Sequence, residues 1–195
     1  MAEDGAVLRR ILLAKALATR GARSVAAGDQ VGRVVALIEL HASIETTLRA
    51  IVIKRNLGAD GSSDPGFVEM IRLIAKDSSA PKLPVLPEIK RINARRNSAL
   101  HHAETLDQVT LDEYVRITRQ FITESFSRFF SIDADQLSEL EHVSDPTLKD
   151  LISIARELST KGKVEVAISL LRLVLRLAAE SCLAGLDGAT LVGAG

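Results

Sequence analysis

The chain has 195 residues, 47% of them apolar, enough for one buried core or at most two small ones. Its 25 basic and 25 acidic residues cancel, so no whole-molecule field steers it onto nucleic acid and any such contact must be local. Six aromatic residues are too few for the ring platform of single-strand binders. One cysteine, Cys182, permits neither an internal disulfide nor a cysteine-built zinc site. That cysteine usage points to a reducing, cytoplasmic setting.

Apolar residues recur at spacings of three and four, and no run alternates strictly enough for a sheet, which predicts an all-α chain. A first helix is expected over roughly Ala6 to Arg20. A second starts at Asp29 as N-cap, carries Leu37, Ile44, Leu48 and Ile51, and stops at Asn56-Leu57-Gly58. The Gly, Ser, Asp and Pro cluster from Gly58 to Gly66 reads as a loop, Phe67 to Lys76 as a short helix, and Pro81 to Pro87 as extended. Helix resumes near Pro87 and continues through Ile89, Ile92 and Leu100 to His102. Thr110 and Glu113 form a capping-box pattern ahead of the aromatic helix with Tyr114, Phe121, Phe126 and Phe129. Beyond residue 142, Ser144-Asp145-Pro146 opens a helix to about Ser159, and Gly162 separates it from a last helix, Val164 to Leu186.

Two segments imitate export or membrane signals. Lys15 interrupts the apolar run after Arg9, and Glu3 and Asp4 stand where a signal peptide carries positive charge, so this is a mature helix. Glu165, Arg172, Arg176 and Glu180 make Val164 to Leu186 unsuited to hydrocarbon and suited to packing on the domain, a partner or a second subunit. Ala22 to Leu48 and Ala155 to Leu183 share a short helical segment, a glycine turn and an apolar helix. Were this a repeat, a second domain would begin near Asp145, and the chain would be a piece of a longer protein or leave its last hairpin for a partner.

The richest polar cluster runs from Lys90 to His102: Lys90, Arg91, Arg95 and Arg96 with His101 and His102, and no acid between Glu88 and Glu104. Arg96, followed by Asn97 and, after three more residues, His101, matches an Arg-four residues-His signature. On this motif and its helical setting, together with the hairpin Ala26 to Glu39 and Ile44 to Leu48, the chain from Ala6 to Ser131 resembles the HEPN superfamily of helical ribonucleases and RNA-binding domains. The resemblance implies a HEPN-like helical bundle over residues 1–142 with an additional C-terminal hairpin over 143–195. It further implies a homodimer in which two motifs face one another, an RNA substrate, 2′-hydroxyl attack without a metal or other cofactor, and a cyclic phosphate product. Relatives of this kind serve as toxins with antitoxin partners or in antiviral defence, in larger assemblies as well as alone.

The residue types suit that chemistry. A guanidinium is always charged and can hold two oxygens of a phosphate gathering negative charge, the role expected of Arg96. A histidine ordinarily titrates near 6.5, so His101 can exchange a proton with a ribose hydroxyl or a leaving oxygen. Asn97 and His101 stack on one helical face, whereas Arg96 and His101 lie about 140° apart and meet only through the arginine's reach or a bend. Lys90, Arg91, Arg95 and His102 are the expected RNA contacts, and pairing Arg95 with His101 or His102 is the alternative motif. The alternative function is a non-catalytic protein or RNA interaction module of the same fold. His41, between Glu39 and Glu45, is expected on an exposed polar stripe, from which a carboxylate could orient Arg96 or His101 across the bundle. The basic residues Arg9, Arg10, Lys15, Arg20 and Arg23 give the opening helix a cationic character. The histidines and the cysteine are too scattered for a metal site.

Overall fold

The computed structural model describes residues 2–58, 65–102, 105–137 and 146–189; the side chains of residues 2–4, 27, 102, 176 and 178–189 lie outside the description. Those residues form seven α-helices and no strand: α1 Ala2–Ala27, α2 Gln30–Lys54, α3 Phe67–Lys76, α4 Leu86–His102, α5 Gln108–Ser125, α6 Pro146–Thr160 and α7 Val164–Ala189. The chain divides into two compact units, Met1–Leu137 and Ser138–Gly195. The expected boundary at 142/143 falls among residues outside the description.

In the first unit α2 is the central helix, touching α1, α3, α4 and α5. Leu37, Leu40, Ile44, Leu48 and Ile51 are fully buried along it, each contributing about 1.5–3 kcal/mol of burial. Because neighbours surround it, α2 also buries Glu39, His41, Ser43 and Thr47. Asp29 caps its first turn as the sequence indicates, accepting from the Gly32 amide at 2.5 Å. Gly28, at φ +83°, makes the reversal from α1 that a side chain would resist. At its other end Arg55 binds the Asp77 carboxylate at 2.7 Å, tying the ends of α2 and α3 together. Hydrogen bonds from Ser79 and Arg55 hold the Asp77 carboxyl down at about 2.

Helix α1 runs seven residues past the expected stop at Arg20, because Gly21 serves as a contact point and not as a terminator. A β-carbon there would lie 2.9 Å from Leu40 Cγ and Cδ2 and 3.3 Å from the Ala36 carbonyl, all on buried residues of α2. The hairpin is drawn in further along by Ser43, whose hydroxyl donates to the Ala14 carbonyl at 2.7 Å. Gly21→Val should therefore lower stability by about 1–3 kcal/mol in denaturant titration, overpacking outweighing the gain in helix propensity; an unchanged midpoint would show that Leu40 yields freely.

The N-cap of α5 lies three residues before the expected Thr110. Asp107, not Thr110, is the N-cap, and it accepts from the Thr110 amide at 2.8 Å and the Thr110 hydroxyl at 2.7 Å. Its aromatic end widens into a π-helical turn over Phe126–Phe130, closed by Ser131 at φ +56°. Phe126 is fully buried against α1 residues such as Ile11 and Ala14, and Lys15 donates to the carbonyls of Ala134 and Leu137 at 2.6 and 2.7 Å. Lys15 is so engaged and Arg20 is paired to Glu39 at 2.9 Å, so two of the five basic residues of α1 are held by contacts within this unit. The proline stretch has no regular element over 81–83 and turns at 84–85 into α4.

The second unit contains the hairpin of α6 and α7, turned at Gly162 with φ +75°. Like Gly28, this glycine sits in the left-handed region, so the two hairpins share their turn device. They differ in the helix after the turn: α2 is enclosed, whereas α7 buries Ala167 and Val174 and exposes most of its larger apolar residues. Among the described residues, no helix is long and apolar enough to cross a membrane.

Candidate functional site

Helix α4 carries every residue of the expected site and divides them among three faces. Ile89, Ile92 and Ala99 form its buried side. At about 100° per residue, Arg96 falls in line with them, toward α2, while Lys90, Asn97 and His101 share a second face and Arg91, Arg95 and Ser98 a third. Lys90, Asn97 and His101 are exposed, and Arg96 is half-buried.

The buried side meets α2 at His41, which is 4% exposed. Of the expected polar stripe, Glu39 and His41 are buried and Glu45 is partly exposed: Glu39 pairs with Arg20 and Ser24, and His41 sits inside the bundle. Its Nε2–H donates to Asn93 Oδ1 on α4 at 2.8 Å, and its ring stacks on Phe67 of α3 with centroids 5.1 Å apart. The Glu45 carboxylate stands 3.8 Å from Nδ1 and is itself held by Arg49 at 3.3 Å. Burial pushes the His41 pKa below its ordinary value; the Asn93 hydrogen bond and the Glu45 charge oppose that, and the positive charge of Arg96 adds to it. The neutral imidazole therefore forms a polar joint between α2, α3 and α4.

Beside this joint the Arg96 side chain has its Nε buried without a partner. Its Nη1 donates to Asn97 Oδ1 at 3.0 Å, which carries the guanidinium around the helix toward the face that Asn97 shares with His101. With Oδ1 occupied, the Asn97 amide group keeps its two donors for another acceptor. Among the described residues Arg96 has no carboxylate partner and makes no hydrogen bond to His101. One helix thus brings a guanidinium and an imidazole onto neighbouring ground without joining them.

No protein-family model, curated protein or solved structure matches this chain. The chemistry open to the site therefore rests on its own groups.

On the third face, Arg91, Ala94, Arg95 and Ser98 line an open groove of about 520 Å³ with Thr110, Glu113 and Tyr114 of α5. Arg91 is paired to Glu113 at 2.6 Å and lies 6.0 Å from the centre of the Tyr114 ring. Arg95 donates to the Thr105 carbonyl at 3.0 Å. Burial raises the Tyr114 pKa, against the nearby charges of Arg91 and Arg95. Two of the expected RNA contacts, Arg91 and Arg95, are thus engaged around the groove, away from the Arg96 and His101 faces. Lys90 lies with Asn97 and His101 instead, and the His102 side chain is outside the described residues. Among the described residues, no three His, Cys, Asp or Glu side chains are grouped to hold a metal ion.

Sequence reasoning missed Asn93 and Phe67, and with them the joint that sets Arg96. The available signal was the heptad spacing of Ile89, Asn93 and Arg96, which places two polar residues on an otherwise apolar face.

Proposed function

We propose that the first unit is a HEPN-like RNA-cleaving domain, with Arg96, Asn97 and His101 acting on a phosphodiester without a metal. The observation that carries this reading is the bond from Arg96 to Asn97, which takes a guanidinium with no carboxylate partner among the described residues toward the face that exposes His101. There Arg96 would neutralise the charge gathering on the phosphate, His101 would take the 2′-hydroxyl proton or supply one to the leaving 5′-oxygen, and Asn97 would donate to a phosphate oxygen. Lys90 extends the same face, and the groove of Arg91 and Arg95 would guide the flanking strand. Because no hydrogen bond joins Arg96 to His101 of one chain among the described residues, the reading includes a second copy whose histidine works beside the first copy's arginine. A toxin or antiviral-defence role and an antitoxin-like partner belong to this reading through the resemblance alone, and a cytoplasmic location through the single cysteine.

The test is cleavage of single-stranded RNA by the purified chain in excess chelator, with 2′,3′-cyclic phosphate ends identified by resistance to 3′-end ligation and the accompanying 5′-hydroxyl ends by direct kinase labelling. Cleavage that requires a divalent cation, or none at all, overturns the nuclease reading. The second reading, a non-catalytic interaction module, is favoured by the exposed apolar residues of α7. It predicts RNA or protein binding that survives Arg96→Ala, with no cleavage.

A further inference from the structure

We infer that α7 is a homodimerisation helix that packs antiparallel against α7 of a second copy, in a register fixed by Glu165 and Arg172. Val164, Ile168, Leu171 and Leu175 are spaced four, three and four residues apart and form one stripe along the helix. They are 51%, 45%, 41% and 70% exposed, whereas Ala167 and Val174, on the adjoining side, are buried. A helix with apolar residues on so many sides is stable in water when more than one neighbour covers it.

The charges beside the stripe say which neighbour. Glu165 and Arg172 flank it on the side away from Ala167 and Val174, both exposed and neither with a charged partner among the described residues. In an antiparallel pair that sets Ile168 against Leu171 and Val164 against Leu175, Glu165 of each copy falls within about 3 Å, measured along the axis, of the other copy's Arg172. The two-fold axis repeats this pair, so one surface supplies both halves of two ion pairs. Sliding the helices by one heptad in one direction sets Arg172 against Arg172, and in the other Glu165 against Glu165. A parallel pair would set Glu165 and Arg172 beside Ala167 and Val174, with no opposite charge. Hydrophobic spacing alone would tolerate all of these; the charges select one. On the opposite flank of α7, formed by Val166, Leu170, Leu173 and Leu177, Ser169 is the neighbouring polar residue whose side chain is described, and Leu170 and Leu177 are already partly covered.

Sedimentation equilibrium of the whole chain at micromolar concentrations tests this independently of any RNA chemistry. The wild type should be a dimer, and Ile168→Glu and Leu171→Glu should each give monomers with unchanged helical circular dichroism. Glu165→Arg and Arg172→Glu, both at exposed positions, should each weaken the dimer about tenfold or more, and the double reversal should restore it. A monomeric wild type would show that the stripe is covered within the chain or by a different protein. A dimer indifferent to Ile168→Glu would place the contact elsewhere. A double reversal as weak as the single ones would overturn the antiparallel register.

Discussion

Replacing His101 with alanine should slow RNA cleavage by about 10²–10⁴-fold, the usual contribution of a positioned acid or base. The substitution should leave stability within about 0.5 kcal/mol, because the side chain is exposed and makes no hydrogen bond among the described residues. Arg96→Lys should be nearly as damaging, by about 10²–10³-fold, since an ammonium keeps the charge and loses the fork that grips two oxygens. A full removal of Arg96 is a poorer probe, because its stem lies on the α2 side of α4 and packing would change with the chemistry. Single-turnover rates with saturating RNA separate the chemical step from binding; Lys90→Ala should mainly weaken binding, with a smaller salt dependence.

Mixing the two variants asks where the site is built. If one chain's imidazole serves the other chain's guanidinium, a mixed dimer of Arg96→Lys and His101→Ala keeps one intact site. Random exchange then restores roughly a quarter of wild-type activity, since half the dimers are mixed and each holds one of two sites. A site built within one chain recovers nothing on mixing. Wild-type activity retained by His101→Ala would remove this histidine from the chemistry whatever the state of association.

The elements that sequence placed well are those whose ends are decided locally. Asp29 caps α2, Gly162 interrupts the last hairpin and Phe67 to Lys76 stands as a helix because each signal involves residues within one turn. The elements it misplaced are those decided by distant partners. The helix expected to end near Arg20 continues through Gly21, where Leu40 occupies the space beside it, and Thr110 reads as a cap until Asp107 is seen to reach its amide and hydroxyl. The candidate site divides along the same line. That Arg96, Asn97 and His101 occupy one helix followed from spacing. Which of Arg95 and Arg96 faces α2 did not, because adjacent residues differ by about 100° and the direction of the core is set by α2 and α5. His41 is the clearest case: its acidic neighbours Glu39 and Glu45 make it look solvated, yet all three are claimed by partners from α1, α3, α4 or the next turn of α2.

That burial gives the second large effect. His41→Ala should destabilise the chain by about 2–4 kcal/mol, from the lost ring volume, the lost stacking on Phe67 and the Asn93 carbonyl left without its donor. For a protein of this size the loss corresponds to a Tm lower by about 6–12 °C, readable by calorimetry. The wild type should also lose stability on acidification, and the sign is set by the direction of the shift. Burial lowers the folded-state pKa of His41 below its ordinary value, so between the two values the unfolded chain binds the extra proton. The contribution is complete above about pH 6.5 and declines as pH falls toward the folded value. Glu45 and Asn93 moderate the decline and Arg96 steepens it, so these are the groups whose replacement would change the slope. His41→Gln, which can still donate to Asn93 but does not titrate, should flatten stability across that window relative to wild type. A wild-type profile that is level below neutrality would mean that His41 takes its proton inside the bundle, and the joint would then be ionic, held by Glu45. The two histidines thus predict opposite outcomes from one kind of substitution, activity without stability at His101 and stability at His41, and measuring both on the same samples separates the chemistry of α4 from its anchoring.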